Sequence, residues 1–489
     1  MKKNIKAVIG CVAALAIAGG GYAALKLSDS GTTSESSSQA ETSQASVPVS
    51  LLDFEQKDIT SITVENSAGS FEAVPEGEPA DDNSVQFTIK GIEDLDVNYT
   101  LTSSLANSCA KLSSDSTAAE GVTDFDKYGL KTPQAKFTVK TSDSEKTILV
   151  GNESPVSGET YCMEDGSDTV YLVGTSSVSV FANSTENFVS TTLLEDTSSS
   201  DSSAPVVDKL TIKRSDLDYD MVLEYDKSTD DSSTKKGTMA THYMTEPVFA
   251  YLDVEKSQNA IHGFYGLTAH SVVKAHPDDE TKKASGFDDP LCVAVMDTSD
   301  SKEYTLTVGN KLDIDDGSYY LVMFGDNDVI YAVAADDLCW ATMKPDDIMS
   351  KMVFGTMVWD IGKLEVNVTG GEDVVFEGSG TSADDYKVTK NGKSCDTTRF
   401  QNFYQFLLKT SAEDFVMNEE PQGDPLVSIY LETQDGETKQ TVEFYKSEGK
   451  KVLISVNGTP CFKCRSAYVD LLIENLSKFD GSEEFIMNW

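Results

Sequence analysis

The chain has 489 residues, and its composition is strongly acidic, with 81 aspartates and glutamates against 39 lysines and arginines. The resulting formal net charge of -42 repels the phosphate backbone of nucleic acids, so nucleic acid is excluded as a partner. Aromatic residues make up 9% and charged residues 25% of the sequence, which is compatible with several domains of ordinary size, each with a packed core.

The chain begins with a candidate membrane segment. An uncharged stretch of 19 residues, at positions 7–25, follows Lys2, Lys3 and Lys6 and is long enough for a helix to cross a membrane. Positive charge before this stretch and a long acidic chain after it predict that the rest is translocated. We assign residues 1–27 to an N-terminal membrane anchor and expect a single-pass protein of the bacterial cell membrane with extracytoplasmic modules. The alternative is a signal segment that is cleaved after Gly21-Tyr22-Ala23.

Two polar segments are predicted to be flexible. Residues 28–57 are assigned to a disordered tether, because positions 28–46 are dominated by Ser, Thr, Gln, Glu and Ala and contain no aromatic residue. Residues 196–205 form a second segment of this kind and are assigned to a linker. The later boundary, at about 356–360, is tighter. We therefore expect the modules on either side of it to be more rigidly connected than those joined by the linker.

One pattern of turns and strand ends recurs along the chain. In the first copy it consists of Gly129-Leu130-x-x-Pro133, a strand at 135–139, a strand end at Val150-Gly151-Asn152 and a closing strand at 170–173. The second copy has Gly286-Phe287-x-x-Pro290, Val308-Gly309-Asn310 and residues 330–333, which lie 157 to 160 residues further on. This spacing is the size of a domain, not of a solenoid repeat. The third copy keeps Pro425-Leu426-Val427 and closes at 461–464, so we predict repeat modules at 58–195, 206–355 and 360–482.

The elements within a module follow a common order. Each module begins with an alternating strand, at 62–64, 210–212 and 364–366. A helix is predicted next, at 104–112, 259–275 and 396–408; the last of these has Phe400, Phe403, Phe406 and Leu407 at core spacing and Asp396 as N-cap. The proline-containing turn, three or four antiparallel strands and a short closing helix such as 466–476 complete the module. The predicted fold class is α+β: three tandem β-rich modules, each an antiparallel sheet with helices packed on one face, after an N-terminal transmembrane helix.

These turn and strand motifs resemble those of the bacterial DUF4340 family, as does a short membrane segment followed by repeated β-rich modules. The resemblance covers most of residues 59–480 and is best in the first two modules. The third module lacks the Val-Gly-Asn triplet, and its Gly-Leu pair is replaced around Gly423-Asp424. The family has no assigned activity. Its members are often found near ABC-type transport and gliding-associated components, which implies an accessory role at the cell envelope.

The cysteines are predicted to be structural. Cys461 and Cys464 have redox or zinc-site spacing, but they occupy the strand positions that Val170 and Val173 hold in the first module. Residues three apart on a strand point to opposite faces, so the two sulfurs do not converge. Cys162 aligns near Leu321 and Cys292 falls in an alternating strand, which argues against a disulfide framework.

Histidines and acidic clusters are the other candidates for chemistry. His262 and His270 are eight residues apart on the helix predicted at 259–275 and could share a face near the acids at 278–280, but no third metal ligand follows at a suitable spacing; His242 and His276 complete the set. The acids at 313–317 lack the ligand spacing of a calcium loop. Together with those at 326–328 they are better interpreted as the two turns that flank a strand at 319–324.

The sequence therefore predicts no catalytic residue, no cofactor site and no metal site. We expect a protein that is not an enzyme: a membrane-tethered, extracytoplasmic accessory protein with a protein partner such as a component of an ABC-type transporter. The alternative is a cell-envelope enzyme or glycan-binding protein with a site between modules.

Overall fold

The computed structural model describes residues 48–81, 83–114, 116–155, 158–196, 204–227, 239–314 and 317–488. The membrane segment predicted at 7–25 and most of the predicted tether lie outside these residues. Among the described residues, no helix is both long and apolar enough to span a membrane.

Antiparallel β-sheets dominate the described part of the chain, and helices are few. The first large sheet has the strand order β4-β3-β2-β7-β8-β9-β10-β6, while β1 and β5 form a separate pair. Its strands are β1 Val49–Asp53, β2 Ile59–Asn66, β3 Gly69–Glu76, β4 Gln86–Ile89, β5 Lys111–Ser114, β6 Ser116–Ala119, β7 Ala135–Thr141, β8 Glu145–Glu153, β9 Glu159–Glu164 and β10 Val170–Gly174. The helices of this region are α1 Tyr99–Ala110 and α2 Thr175–Val178, with 3-10 turns at Gln56–Asp58, Asp126–Tyr128, Ser179–Ala182 and Thr185–Phe188.

The second sheet has the order β14-β13-β12-β11-β16-β17-β18-β19-β15. Its strands are β11 Val207–Arg214, β12 Met221–Tyr225, β13 Met239–Glu246, β14 Ala250–Asp253, β15 Ser271–Ala275, β16 Cys292–Thr298, β17 Glu303–Ile314, β18 Gly317–Phe324 and β19 Val329–Ala334. The helices here are α3 Val254–His262, α4 Asp279–Ala284 and α5 Pro345–Ile348, with 3-10 turns at Ala335–Asp337 and Cys339–Ala341.

The third sheet has the order β23-β22-β21-β20-β25-β26-β27-β28-β24. Its strands are β20 Ile361–Val368, β21 Val374–Ser379, β22 Lys387–Lys390, β23 Lys393–Ser394, β24 Asp414–Phe415, β25 Val427–Thr433, β26 Lys439–Lys446, β27 Lys451–Val456 and β28 Thr459–Arg465. The helices of this region are α6 Thr397–Leu408 and α7 Ser466–Ser477, and a 3-10 turn at Val358–Asp360 precedes β20.

The three orders share one topology. In each sheet the first long strand (β2, β11 or β20) lies between the strand that follows it and the first strand after the proline-containing turn (β7, β16 or β25). The last strand in each order (β6, β15 or β24) comes earlier in the chain than its neighbour. Tandem repetition of one β-rich unit, predicted from the motifs, therefore extends to strand order.

Chain contacts divide the molecule into two compact units. The first contains the described residues up to Glu195, together with 267–288 and 308–335; the second contains the remainder. The first sheet lies in the first unit and the third sheet in the second unit.

The core of the third sheet follows the predicted pattern. Helix α6 begins after Asp396, whose carboxylate accepts the backbone N–H of Thr398 at 2.9 Å. The helix spacing then places Phe400, Phe403, Phe406 and Leu407 in the interior, where each is fully buried. The predicted core stripe and helix are thus confirmed.

The helix predicted at 259–275 is wrong in its extent. Helix α3 ends at His262, and residues 271–275 form β15, an edge strand of the second sheet. Gly263 and Gly266, the latter at φ +77°, interrupt the helix, and Val272-Val273 favours a strand. The helix predicted at 104–112 is displaced: α1 begins at Tyr99, and residues 111–112 belong to β5.

A short chain segment, here called the lead-in segment, precedes the first strand of each sheet and pairs with a distant part of the chain. Ser50 pairs with Ser113, Thr192 with Thr268 and Met352 with Ser411. Residues 113, 268 and 411 each lie three positions before the start of β6, β15 and β24. The first lead-in segment is β1, which falls inside the range 28–57 assigned to the tether. That assignment is wrong for β1, since Leu51 and Leu52 are buried.

Candidate functional site

The repeated glycine and asparagine residues meet in space at the start of β7. Gly129 ends a 3-10 turn at φ +70°, a backbone conformation that favours glycine. A methyl group on Gly129 would lie 2.4 Å from Oδ1 of Asn152, and one on Gly151 would lie 2.2 Å from the carbonyl oxygen of Tyr128. Neither position has room for a side chain. The turn and the end of β8 are therefore packed backbone against backbone, an arrangement here called the turn–strand contact.

The second sheet repeats the turn–strand contact with the corresponding residues. Gly286 has φ +91°, and a methyl group on it would lie 2.7 Å from Oδ1 of Asn310. One on Gly309 would lie 2.3 Å from the carbonyl oxygen of Ser285. The Asn310 side chain donates from Nδ2 to the carbonyl of Ala284 at 2.9 Å, and its backbone N–H donates to Ser285 at 2.8 Å. The asparagine thus satisfies backbone carbonyls at the end of a turn.

The third sheet has a groove where the other two have this contact. Its volume is about 1070 Å³, and its walls are polar, charged or glycine residues. At its floor Lys463 Nζ lies 2.6 Å from Glu419 Oε2, and the Ser447 hydroxyl donates to Glu419 Oε1 at 3.4 Å. The lining residues are Asn418, Glu419, Glu420, Gln422, Gly423, Lys446, Ser447, Glu448, Gly449 and Lys463, and they define the third-sheet groove.

A smaller groove of about 510 Å³ lies beside α4. Two ion pairs involve its lining: Lys283 with Asp288 at 3.0 Å and Lys282 with Asp328 at 2.7 Å. Lys282, Lys283 and Asp288 therefore already have charged partners. The other charged lining residues, Asp279 and Glu280, are exposed carboxylates. The lining residues are Asp279, Glu280, Lys282, Lys283, Phe287 and Asp288.

Comparison with known proteins gives one finding. The family model for the domain of unknown function DUF4340 matches residues 73–290 and, in a second overlapping match, residues 243–426. The chain belongs to the DUF4340 family. The two matches include both turn–strand contacts and stop before Tyr445 and Lys446 of the third sheet. No curated protein and no solved structure matches the chain.

The cysteines of this DUF4340 protein occupy buried strand positions. Cys461 and Cys464 both lie in β28, as the repeat alignment predicts, and both are at most 2% exposed. Burial raises the pKa of both thiols to about 12, and the same effect acts on Cys162 and Cys292. A thiol whose pKa is raised this far holds its proton at neutral pH and is a poor nucleophile.

Two of the histidines lie near each other in the second sheet. His242 is buried on β13, with Nε2 2.6 Å from the carbonyl of Val207 and Nδ1 2.9 Å from the hydroxyl of Thr241. Burial lowers its pKa and that of His262, whose ring centroid is 6.4 Å from that of His242. Both ring nitrogens of His242 therefore form hydrogen bonds within the second sheet.

The proposed sharing of a helical face by His262 and His270 is wrong. His262 is the last residue of α3, and His270 lies outside any helix, one residue before β15, with its ring 4.7 Å from that of Tyr319. Across the residues that the structure describes, no cluster of three or more His, Cys, Asp or Glu side chains is arranged to hold a metal ion.

A polar cluster around His276 was not foreseen from the sequence. Its Nε2 lies 3.2 Å from Asp94 and its Nδ1 lies 3.4 Å from Asp328, which also pairs with Lys282. The hydrogen bond from Lys282 is the main effect that lowers the pKa of Asp328. Asp94 and His276 are far apart in sequence, and no local pattern indicates their pairing. The cluster joins the loop after β4 to the start of α4.

The acidic residues at 326–328 lie at a turn, as predicted. Asp313 is near the end of β17, and residues 326–328 connect β18 to β19. Ser318 donates a hydrogen bond of 2.5 Å to Asp313, and this bond is the main effect that lowers the pKa of that carboxyl group. Asp315 and Asp316 lie outside the described residues.

Proposed function

We propose that this DUF4340 protein is a non-catalytic accessory protein, tethered to the bacterial cytoplasmic membrane, whose three tandem modules act on the extracytoplasmic side. In this proposal each module is an antiparallel sheet with helices packed on one face. Its partner is another membrane protein, such as the permease of an ABC-type transporter.

The turn–strand contact is the observation that carries the proposal. The motif residues Gly129, Gly151 and Asn152, and their equivalents in the second sheet, pack a turn against a strand. Glycines and an amide supply neither an acid, a base nor a nucleophile. What the repeats share is thus a means of folding, and this is typical of repeated interaction modules. The buried thiols and His242 fit the same interpretation, because their environments stabilise the uncharged forms.

The acidic surface supports a protein partner over a nucleic acid or an anionic membrane surface. With 81 acidic against 39 basic residues, the chain attracts basic surfaces and repels phosphates. The long polar segment predicted before the first sheet would let the modules reach a partner in the same membrane.

Topology is the first test. Protease added to intact spheroplasts is expected to digest the chain beyond about Leu25, because the positive charges precede the apolar stretch. Protection of the modules would contradict the proposed orientation. A mature chain that begins at Ala24 would show instead that the N-terminal segment is a cleaved signal.

Crosslinking in intact cells, followed by mass spectrometry, is the second test. Recovery of a membrane protein in specific crosslinks supports the accessory role. Failure to recover one, together with hydrolysis of cell-wall glycan that a single carboxylate substitution abolishes, would place the protein among enzymes.

A further inference from the structure

The third sheet has lost every residue of the turn–strand contact. Val427 pairs with Phe444 as Ala135 pairs with Val150, so Tyr445 and Lys446 occupy the positions of Gly151 and Asn152. Gly129 stands four residues before Pro133, and the corresponding position before Pro425 is Pro421. The more rigid Pro421 and the larger Tyr445 thus replace the two glycines, and the larger Lys446 replaces the asparagine. The turn can no longer pack against the strand, and the third-sheet groove lies at this place.

The lining of this groove suits a polar ligand. Eight of its ten lining residues are polar or charged and the other two are glycines, whereas pockets for small organic molecules are mostly apolar. Its volume of about 1070 Å³ is also slightly larger than the ~300–1,000 Å³ of such pockets. A groove of this size with polar walls is closer to the polar part of a protein interface, where hydrogen bonds and charge complementarity give specificity.

The charges of the groove separate into a neutral floor and a charged rim. The floor pair Lys463–Glu419 is 20% and 35% exposed and is already satisfied. On the rim, Lys446, Glu420 and Glu448 are exposed, and none of them forms an ion pair with a residue in the described part of the chain. The rim therefore offers two carboxylates and one ammonium group to a ligand, on a chain whose net charge is -42.

We infer that the third-sheet groove is the docking site for an extended polar segment of the partner protein that carries lysine or arginine side chains. Basic side chains of the segment pair with Glu420 and Glu448, and an acidic side chain or a backbone carbonyl group of the segment accepts a hydrogen bond from Lys446. This inference rests on the proposed function, since it names the surface that the accessory protein uses. In the first two sheets the residues at the corresponding positions form the turn–strand contact instead.

Charge reversal on the rim tests the chemistry. The full-length protein in detergent is titrated with a fluorescent peptide of alternating lysine and serine, at physiological ionic strength so that distant charges are screened. The variant with Glu420→Lys and Glu448→Lys is expected to bind about tenfold more weakly, since two exposed ion pairs are lost. The variant with Glu420→Gln and Glu448→Gln is expected to show a smaller loss. A peptide of alternating glutamate and serine is expected not to bind.

A matched control separates the groove from the overall charge. Glu76→Lys with Glu78→Lys makes the same change in net charge at two exposed residues, one at the end of β3 and one just after it. This control is expected to change the affinity less than twofold if binding is local. Equal losses in the two charge-reversal variants, no loss in the groove variant, or equal binding of the acidic peptide would overturn the inference.

Site-specific crosslinking in cells separates this inference from the proposed function. A photoreactive amino acid is placed at Gln422 in the groove and, for comparison, at Lys131 in the corresponding turn of the first sheet. A membrane protein crosslinked from Gln422 and not from Lys131 supports docking in the groove. Crosslinks from Lys131 but not from Gln422 would refute the groove and retain the accessory role. No membrane protein from either position would count against both.

Discussion

Replacing Gly129 with alanine tests whether the turn–strand contact holds the first sheet together. The substitution forces a side chain into the left-handed region at φ +70°, which costs about 1–2 kcal/mol. It also puts a methyl group 2.4 Å from Oδ1 and 2.8 Å from the backbone nitrogen of Asn152. Overpacking of this kind costs a further ~1–3 kcal/mol. We therefore expect the free energy of unfolding to fall by roughly 2–5 kcal/mol.

Gly166 provides the matched control. It has φ +83° in a turn of the same sheet, and a methyl group there would have no neighbour within 4 Å. Gly166→Ala should therefore cost only the backbone part, about 1–2 kcal/mol. The variant with Gly129→Ala and Asn152→Ala should recover some stability, because two of the three nearest atoms belong to the asparagine side chain.

Denaturant unfolding with hydrogen exchange is the appropriate assay. A chain with several sheets need not unfold in one step, so exchange of the amides of β7 and β8 assigns the effect to the first sheet. Equal losses for Gly129→Ala and Gly166→Ala would refute the steric argument. A loss in Gly129→Ala that spreads equally over all three sheets would refute its local origin.

Three further outcomes are expected. Replacing Cys461 by Val and Cys464 by Ile should cost less than about 1.5 kcal/mol in denaturant unfolding, and stoichiometric zinc on the purified protein would contradict the structural role. Burial lowers the pKa of His242 in the folded protein. The contribution of the neutral His242 ring to stability is therefore complete above the unfolded pKa of about 6.5 and is lost as pH falls through the folded pKa. A His242→Gln variant should show a flatter decline in unfolding midpoint over that acidic range. Leu52→Ala should cost ~2–5 kcal/mol in unfolding free energy because Leu52 is 1% exposed, whereas Val49→Ala, at a position 39% exposed, should change it by at most about 0.5 kcal/mol.

Local signals were sufficient for many of the strands and for the helices of the third sheet. The alternating positions of β20 and the phenylalanine spacing of α6 reflect burial on one side, which sequence periodicity records directly. The same logic failed at 259–275, because apolar residues on both sides of Gly263 were assigned to one helix. Glycines that end a helix and a β-branched pair after them separate α3 from β15.

Contacts between distant residues could not be predicted in the same way. Ser50 meets Ser113, and Asp94 meets His276, with no periodic pattern that relates the partners. The third-sheet groove could not be predicted either, because its position follows from the register that pairs Val427 with Phe444 on the neighbouring strand. The repeat alignment identified the missing motif in the third module, but strand register was needed to show that a groove lies there.

The lead-in segments have a consequence for how such a chain could grow. Ser50, Thr192 and Met352 hold the same place relative to the sheet that follows each of them. A gene duplication that copied the stretch from one of these residues to the next would therefore copy both a lead-in segment and the residue with which it pairs. Removing residues 50–191 would likewise join Val49 to Thr192 in the register that the second sheet requires. Relatives that differ in length by a whole repeat are thus accessible in a single genetic step, without any new junction having to evolve.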